Sequence, residues 1–86
     1  MMDQMLAYRD QGMRDAMESY DPREEEPPRV GDLAEYYLAD GWHFEGEIDA
    51  SRDMLRAYAM AWAQGWHDQA SRMYDCYVAR EDADNA

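Results

Sequence analysis

The segment from Asp49 to Arg80 constrains the fold most, because it contains no proline and its apolar residues recur at steps of three and four. This spacing predicts a helix with one apolar face. A continuous helix over 49–80 would be ~45 Å long, with Asp49 or Ser51 as its N-cap. The stripe predicted to lie in the core or at a dimer interface consists of Leu55, Tyr58, Trp62, Trp66, Met73 and Tyr77.

Two shorter helices complete the predicted fold. Apolar residues at helical spacing predict helix 1 over 1–20, and Pro22, Pro27 and Pro28 end it and make 21–30 an acidic linker. Helix 2 is predicted over 32–40, with Gly31-Asp32 as its N-cap and Gly41 as its stop. A structured aromatic loop at 41–48 and an acidic tail at 81–86 follow. The expectation is therefore one mainly all-α domain over 1–86, with three helices and a long C-terminal one.

The two shorter helices are too short to cover a ~45 Å helix. Either Gly65 breaks the long helix into two packed pieces, or a second copy of the chain covers its exposed stripe. An 86-residue chain supplies only a few kcal/mol from its own core. Because it has a single cysteine, no disulfide within the chain can add to this. We therefore favour the unbroken helix and a homodimer.

Acidic residues dominate the charge, with 20 Asp and Glu against 8 basic residues, all arginine, for a net charge of −12. Between Asp15 and Asp53 there are thirteen acids and three arginines, a net charge of −10. From Met54 to Arg80 the net charge is +1. Such a chain repels nucleic acid and anionic membranes, and it favours basic protein surfaces as partners.

Few residues suit catalysis or metal binding. His67 and Cys76 are nine positions apart, so a helix would place them on opposite sides and prevent a nucleophilic pair. Cys76 is predicted to be a small buried residue, and His67 to form a solvated polar pair with Asp68. His43, in the aromatic loop, is the other acid–base candidate. Since no catalytic motif, calcium-binding loop or zinc-ligand set is present, we predict a protein that is not an enzyme and has no catalytic residues, metal or cofactor.

The cellular location is predicted from the absence of membrane-spanning and export signals in the sequence. No apolar run approaches the ~20 residues that cross a bilayer. Charged residues interrupt the first twenty positions, so they do not resemble a signal peptide. With one free thiol, we expect a cytoplasmic protein.

A binding surface is predicted where acids alternate with aromatic residues. Tyr36 and Tyr37 lie about 100° apart on a helix, so at least one should lean toward the surface, and Tyr74 falls off the main stripe of helix 3. We predict Tyr36, Tyr37 and Tyr74 as aromatic contacts to a partner. The predicted acidic face consists of Glu24, Glu25, Glu26, Asp32, Glu35, Asp40, Glu45 and Glu47.

In its small size, its charge and its freedom from catalytic motifs, the chain resembles the small acidic anti-defence proteins of phages and mobile elements, including anti-CRISPR and anti-restriction proteins. Several of these resemble nucleic acid electrostatically. The resemblance implies a cytoplasmic inhibitor, within the host cell, that occupies the nucleic-acid-binding channel of a defence protein or complex. The resemblance is one of composition, with no matching motif, so it implies no role for any individual residue.

Two other interpretations stay open. One is a helical structural, assembly or regulatory protein that dimerises through helix 3 and is acidic only for solubility. The other is a salt-adapted proteome, which predicts acids on every face. The nearly neutral segment from Met54 to Arg80 counts against the latter.

Overall fold

The computed structural model describes residues 2–39 and 50–85, and these form three α-helices and no strand. They are α1 (Met2–Ser19), α2 (Val30–Ala39) and α3 (Arg52–Asn85). The predicted all-α fold with a long C-terminal helix is confirmed. The aromatic loop predicted at 41–48 lies outside the described residues.

Helix α3 is the longest element and runs for 34 residues without a break at Gly65. It therefore spans nearly the full 55 Å length of the molecule. Ser51 is its N-cap, since the backbone N–H of Met54 donates to Ser51 Oγ at 3.2 Å. The predicted end at Arg80 was wrong: the helix continues to Asn85, because residues 81–85 contain no proline or glycine to stop it.

The other two helices differ from prediction mainly at their ends. Helix α1 ends at Ser19, where Pro22 soon follows. Helix α2 begins at Val30, so the predicted N-cap at Gly31-Asp32 was wrong; the Leu33 N–H already donates to the Arg29 carbonyl at 3.0 Å. Asp32 instead lies in the first turn, where its negative charge interacts favourably with the helix dipole.

The helices are arranged up-down-up. Contacts between α1 and α3 advance in the same direction along both helices, from the Gln4–Tyr58 hydrogen bond to the Tyr20–Trp66 ring contact. Helix α2 runs the opposite way, because Pro28, just before it, contacts His67, while Tyr37, near its end, stacks on Trp62 earlier in α3. Both α1 and α2 therefore pack along α3, which acts as the central support.

Two glycines permit an unusually close crossing of α1 and α3. A Cβ atom placed on Gly12 would lie 2.0 Å from the Trp62 carbonyl oxygen, and one on Gly65 would lie 2.1 Å from the Arg9 carbonyl oxygen. Real Cβ atoms essentially never approach another atom below 3.0 Å. Helix α1 therefore has a glycine where the backbone of α3 passes, and α3 has a glycine where the backbone of α1 passes.

Small residues and aromatic rings form the core around this crossing. Ala16, Ala59, Ala63 and Ala70 are fully buried. The aromatic rings form one connected cluster. Tyr8 stacks on Tyr58 with ring centroids 4.8 Å apart, and Tyr37 stacks on Trp62 at 4.3 Å. Tyr8 contacts Tyr37 edge-on at 6.4 Å and so joins the two pairs. Aromatic pairs at these separations stabilise beyond the area they bury, which matters in a chain this small.

Candidate protein-binding surface

Tyr20 fixes the acidic linker at Glu25, near its middle. Its buried ring packs edge-on against Trp66 at 5.4 Å, and its hydroxyl donates to the Glu25 carbonyl oxygen at 2.7 Å. Burial raises the pKa of this hydroxyl, and the Glu25 carboxylate raises it further. The hydroxyl therefore stays protonated at neutral pH and remains a donor to the linker backbone.

A tight turn follows Tyr20. The Asp21 carboxylate accepts the Arg23 backbone N–H at 2.9 Å and the Arg23 guanidinium at 3.1 and 3.2 Å. The Glu24 N–H donates to the Asp21 carbonyl at 3.1 Å. Hydrogen bonds from Arg23 hold the pKa of the Asp21 carboxyl below its usual value. The turn thus leads the chain out of α1 and into the three glutamates.

His67 fixes the linker again near its C-terminal end. Its Nδ1 lies 2.8 Å from the Pro28 carbonyl oxygen, and because a carbonyl only accepts, Nδ1 carries the hydrogen. The predicted solvated pair of His67 with Asp68 was wrong. Asp68 instead accepts hydrogen bonds from Arg9 at 3.1 Å and Gln64 at 2.9 Å, while the half-buried imidazole faces the linker.

Between and beyond these two fixed points the carboxylates face solvent. Glu24, Glu25 and Glu26 are all exposed. On α2, Leu33, Ala34 and Tyr37 face the core, so Asp32, Glu35 and Tyr36 lie on the outer side. We call the exposed set of Glu24, Glu25, Glu26, Asp32, Glu35 and Tyr36 the acidic surface. Asp40, Glu45 and Glu47, also predicted for this face, lie outside the described residues, as does His43.

The three predicted aromatic contacts are placed differently from one another. Tyr36 is 65% exposed and belongs to the acidic surface. Tyr37 is only 4% exposed and stacks on Trp62, so it contributes to the core and is not available to a partner. Burial raises the pKa of Tyr37 to about 12. Tyr74 is half-buried and packs against the core cluster. Of the three, Tyr36 alone projects from the surface.

The predicted core or dimer stripe is mostly covered within one chain. Tyr58, Trp62 and Trp66 are buried, and Asp15 accepts the Trp62 indole N–H at 2.8 Å. Leu55, Met73 and Tyr77 are half-buried. Among the described residues, the expectation that two short helices cannot cover α3 therefore holds toward its ends, and most clearly near the C-terminal end, where α1 has already stopped.

The remaining candidate side chains are Cys76 and the described carboxylates. The prediction that Cys76 is buried was wrong, because α1 ends before it can cover this position, and the thiol is exposed. Among the described residues, no three or more His, Cys, Asp or Glu side chains are grouped to hold a metal ion. In the same part of the chain, no helix combines the length and apolar character needed to cross a bilayer.

Comparison with known proteins adds no relative. No family model, no curated protein and no solved structure matches the chain.

Sequence reasoning found the exposed acids but missed the residues that position them. The sequence predicts Tyr20 only as the last residue of helix 1, and His67 as a solvated side chain. A tyrosine directly before Asp21-Pro22 was a visible signal for a helix-end contact. The pairing of His67 with Pro28 joins positions 39 residues apart, and no local pattern indicates it.

Proposed function

We propose that the chain is a protein-binding inhibitor that presents its acidic surface to the basic nucleic-acid-binding site of a host defence protein or complex, as anti-CRISPR proteins do. The observation that carries this proposal is the linker, whose glutamates are exposed while its backbone is held by Tyr20 and His67. It would act in the cytoplasm of the host cell, without a cofactor or a reaction of its own.

The held linker favours binding for an energetic reason. A disordered acidic segment loses conformational entropy when a partner orders it, and this cost weakens the complex. Here the Glu25 carbonyl and the Pro28 carbonyl are already hydrogen-bonded within the fold. The three glutamates at and next to these two points therefore approach a partner from a backbone that is largely ordered beforehand.

The composition of the surface suits an arginine- or lysine-rich partner. Carboxylates accept paired hydrogen bonds from arginine, as phosphates do. Tyr36, 65% exposed beside Glu35, offers a ring on which a guanidinium can stack. Complementary charge mainly accelerates association and selects the partner, so binding should weaken as salt rises.

Charge reversal tests the proposal. We expect the combined change Glu24→Lys, Glu25→Lys, Glu26→Lys and Glu35→Lys to abolish binding to a nucleic-acid-handling protein captured from host lysate, while circular dichroism shows an unchanged fold. Duplex DNA or guide RNA should compete with the wild-type chain for the purified partner. The matched control reverses the same number of exposed acids elsewhere: Asp10, Asp53, Asp75 and Asp82.

The two variants give separable outcomes. Loss of binding in the first and retention in the control supports the acidic surface as the contact. Equal binding by all three proteins refutes it. Equal loss in both variants would mean that total charge, and not this surface, attracts the partner.

An assembly protein that dimerises through α3 is the second candidate. The half-buried Met73 and Tyr77 and the exposed Cys76, near the C-terminal end of α3, favour it. Sedimentation at high salt distinguishes the two functions, because a stable homodimer that captures no other protein would support assembly.

A further inference from the structure

A groove of about 750 Å³ lies where α3 continues past the end of α1. The final turn of α1 and the Asp21–Arg23 turn form one wall, and α3 from Gln69 to Arg80 forms the other. The groove exists because the chain reverses at Pro22, so α1 stops covering α3 there. Its volume falls within the ~300–1,000 Å³ typical of small-molecule sites.

Arginines line this groove in a chain that is otherwise strongly acidic. Three of the eight, Arg23, Arg72 and Arg80, border it, against the two acids Glu18 and Asp21. Arg23 is already paired with Asp21 at 3.1 Å. For Arg72 and Arg80, the side chains that the structure describes include no carboxylate within ion-pair distance. Among the described side chains, these two guanidinium groups are therefore not neutralised and can bind an incoming anion.

The spacing of these two arginines indicates the kind of anion. Arg72, Cys76 and Arg80 are four residues apart on one face of α3, so the two arginine Cα atoms are ~12 Å apart with the thiol between them. Long arginine side chains can converge above such a midpoint. One guanidinium fork is enough for a carboxylate, whereas a dianionic phosphate has oxygens for two.

We propose that this groove binds a small organic phosphate, with Arg72 and Arg80 holding the phosphate above Cys76 and with Met73 and Tyr77 contacting the organic part. A polynucleotide is a poor occupant, because the surrounding field of a chain with net charge −12 repels an extended polyanion. The site is separate from the acidic surface and does not depend on the proposed inhibitory function.

Cys76, the chain's single cysteine, reports on occupancy. Its reaction with neutral dithiodipyridine is measured with increasing phenyl phosphate at constant ionic strength, and we expect saturable slowing. The Arg72→Gln/Arg80→Gln variant should bind phenyl phosphate at least ten-fold more weakly. The control Arg52→Gln/Arg56→Gln removes the same charge from the other end of α3 and should match wild type.

The charge of the reagent provides a second measurement. Dithiobis(nitrobenzoate) is a dianion, so the two arginines should attract it to Cys76. In the Arg72→Gln/Arg80→Gln variant, its rate of reaction relative to that of dithiodipyridine should fall about five-fold, because the screened Coulomb attraction at ~8 Å is lost. Slowing that does not saturate, or equal protection of wild type and this variant, overturns the site. If benzoate protects as well as phenyl phosphate, the assignment to phosphate is wrong.

Discussion

Replacing Gly12 by alanine tests the crossing on which the whole packing depends. The added Cβ would lie 2.0 Å from the Trp62 carbonyl oxygen, so α1 and α3 must part by at least about 1 Å to restore an allowed distance. The obstacle is backbone, which cannot rotate away as a side chain can. Overpacking of this kind costs about 1–3 kcal/mol or more, while alanine regains ~1 kcal/mol of helix propensity.

Because the obstacle is backbone at both sites, the cost should lie at the upper end of this range, which leaves a net loss of about 2 kcal/mol in the free energy of unfolding for Gly12→Ala and a similar loss for Gly65→Ala. In a domain with only a few kcal/mol of stability, each change should visibly lower the urea midpoint. The double variant should lose less than the sum, because one separation of the helices accommodates both methyl groups. Tryptophan fluorescence and circular dichroism follow the transition.

Gly31→Ala is the matched control, because a Cβ there meets nothing within 4 Å. Gly31 lies in the first turn of α2. The variant should gain about 0.5–1 kcal/mol in the free energy of unfolding, because alanine lowers the conformational entropy of the unfolded chain. If Gly12→Ala were as stable as Gly31→Ala, the two helices would not cross at this point and the reasoning would fail.

Three further measurements test individual contacts. Asp15→Ala should lower the free energy of unfolding by about 1–2 kcal/mol, because it removes the acceptor of the Trp62 indole N–H; in a double-mutant cycle with Trp62→Phe, purely additive losses would argue against this bond. Burial favours the neutral form of Tyr37. This preference contributes up to about 2–3 kcal/mol to the free energy of unfolding, which should be fully present below pH 10 and lost as the pH rises from 10 toward 12. Tyr37→Phe should flatten that part of the pH profile, and an unchanged slope would contradict the assignment. The pKa of Asp21, followed by carboxyl NMR, should rise toward its ordinary value in Arg23→Ala, and a constant pKa would show that the turn is not held by this pair.

The acidic surface illustrates the division between local and tertiary information. Exposure of Glu24–Glu26 was predictable, because three successive glutamates between prolines cannot be buried without partners. Which of Tyr36 and Tyr37 faces solvent was not predictable from their 100° separation alone. The side of α2 that meets Trp62 decides it, and that choice depends on how α1 and α2 share the surface of α3.

Local pattern by itself determined the three helices, because proline positions, the Ser51 cap and three- and four-residue spacing act over short stretches of chain. It also determined the long α3, since no proline or glycine pair interrupts it. Only the tertiary structure decided what the stripe on α3 meets. The glycines at positions 12 and 65 let α1 approach closely and cover the tryptophans that suggested a dimer. Where α1 stops, the same face of α3 lines the groove around Cys76. The position at which α1 ends decides which residues of α3 are covered, and the sequence of α3 alone does not show it.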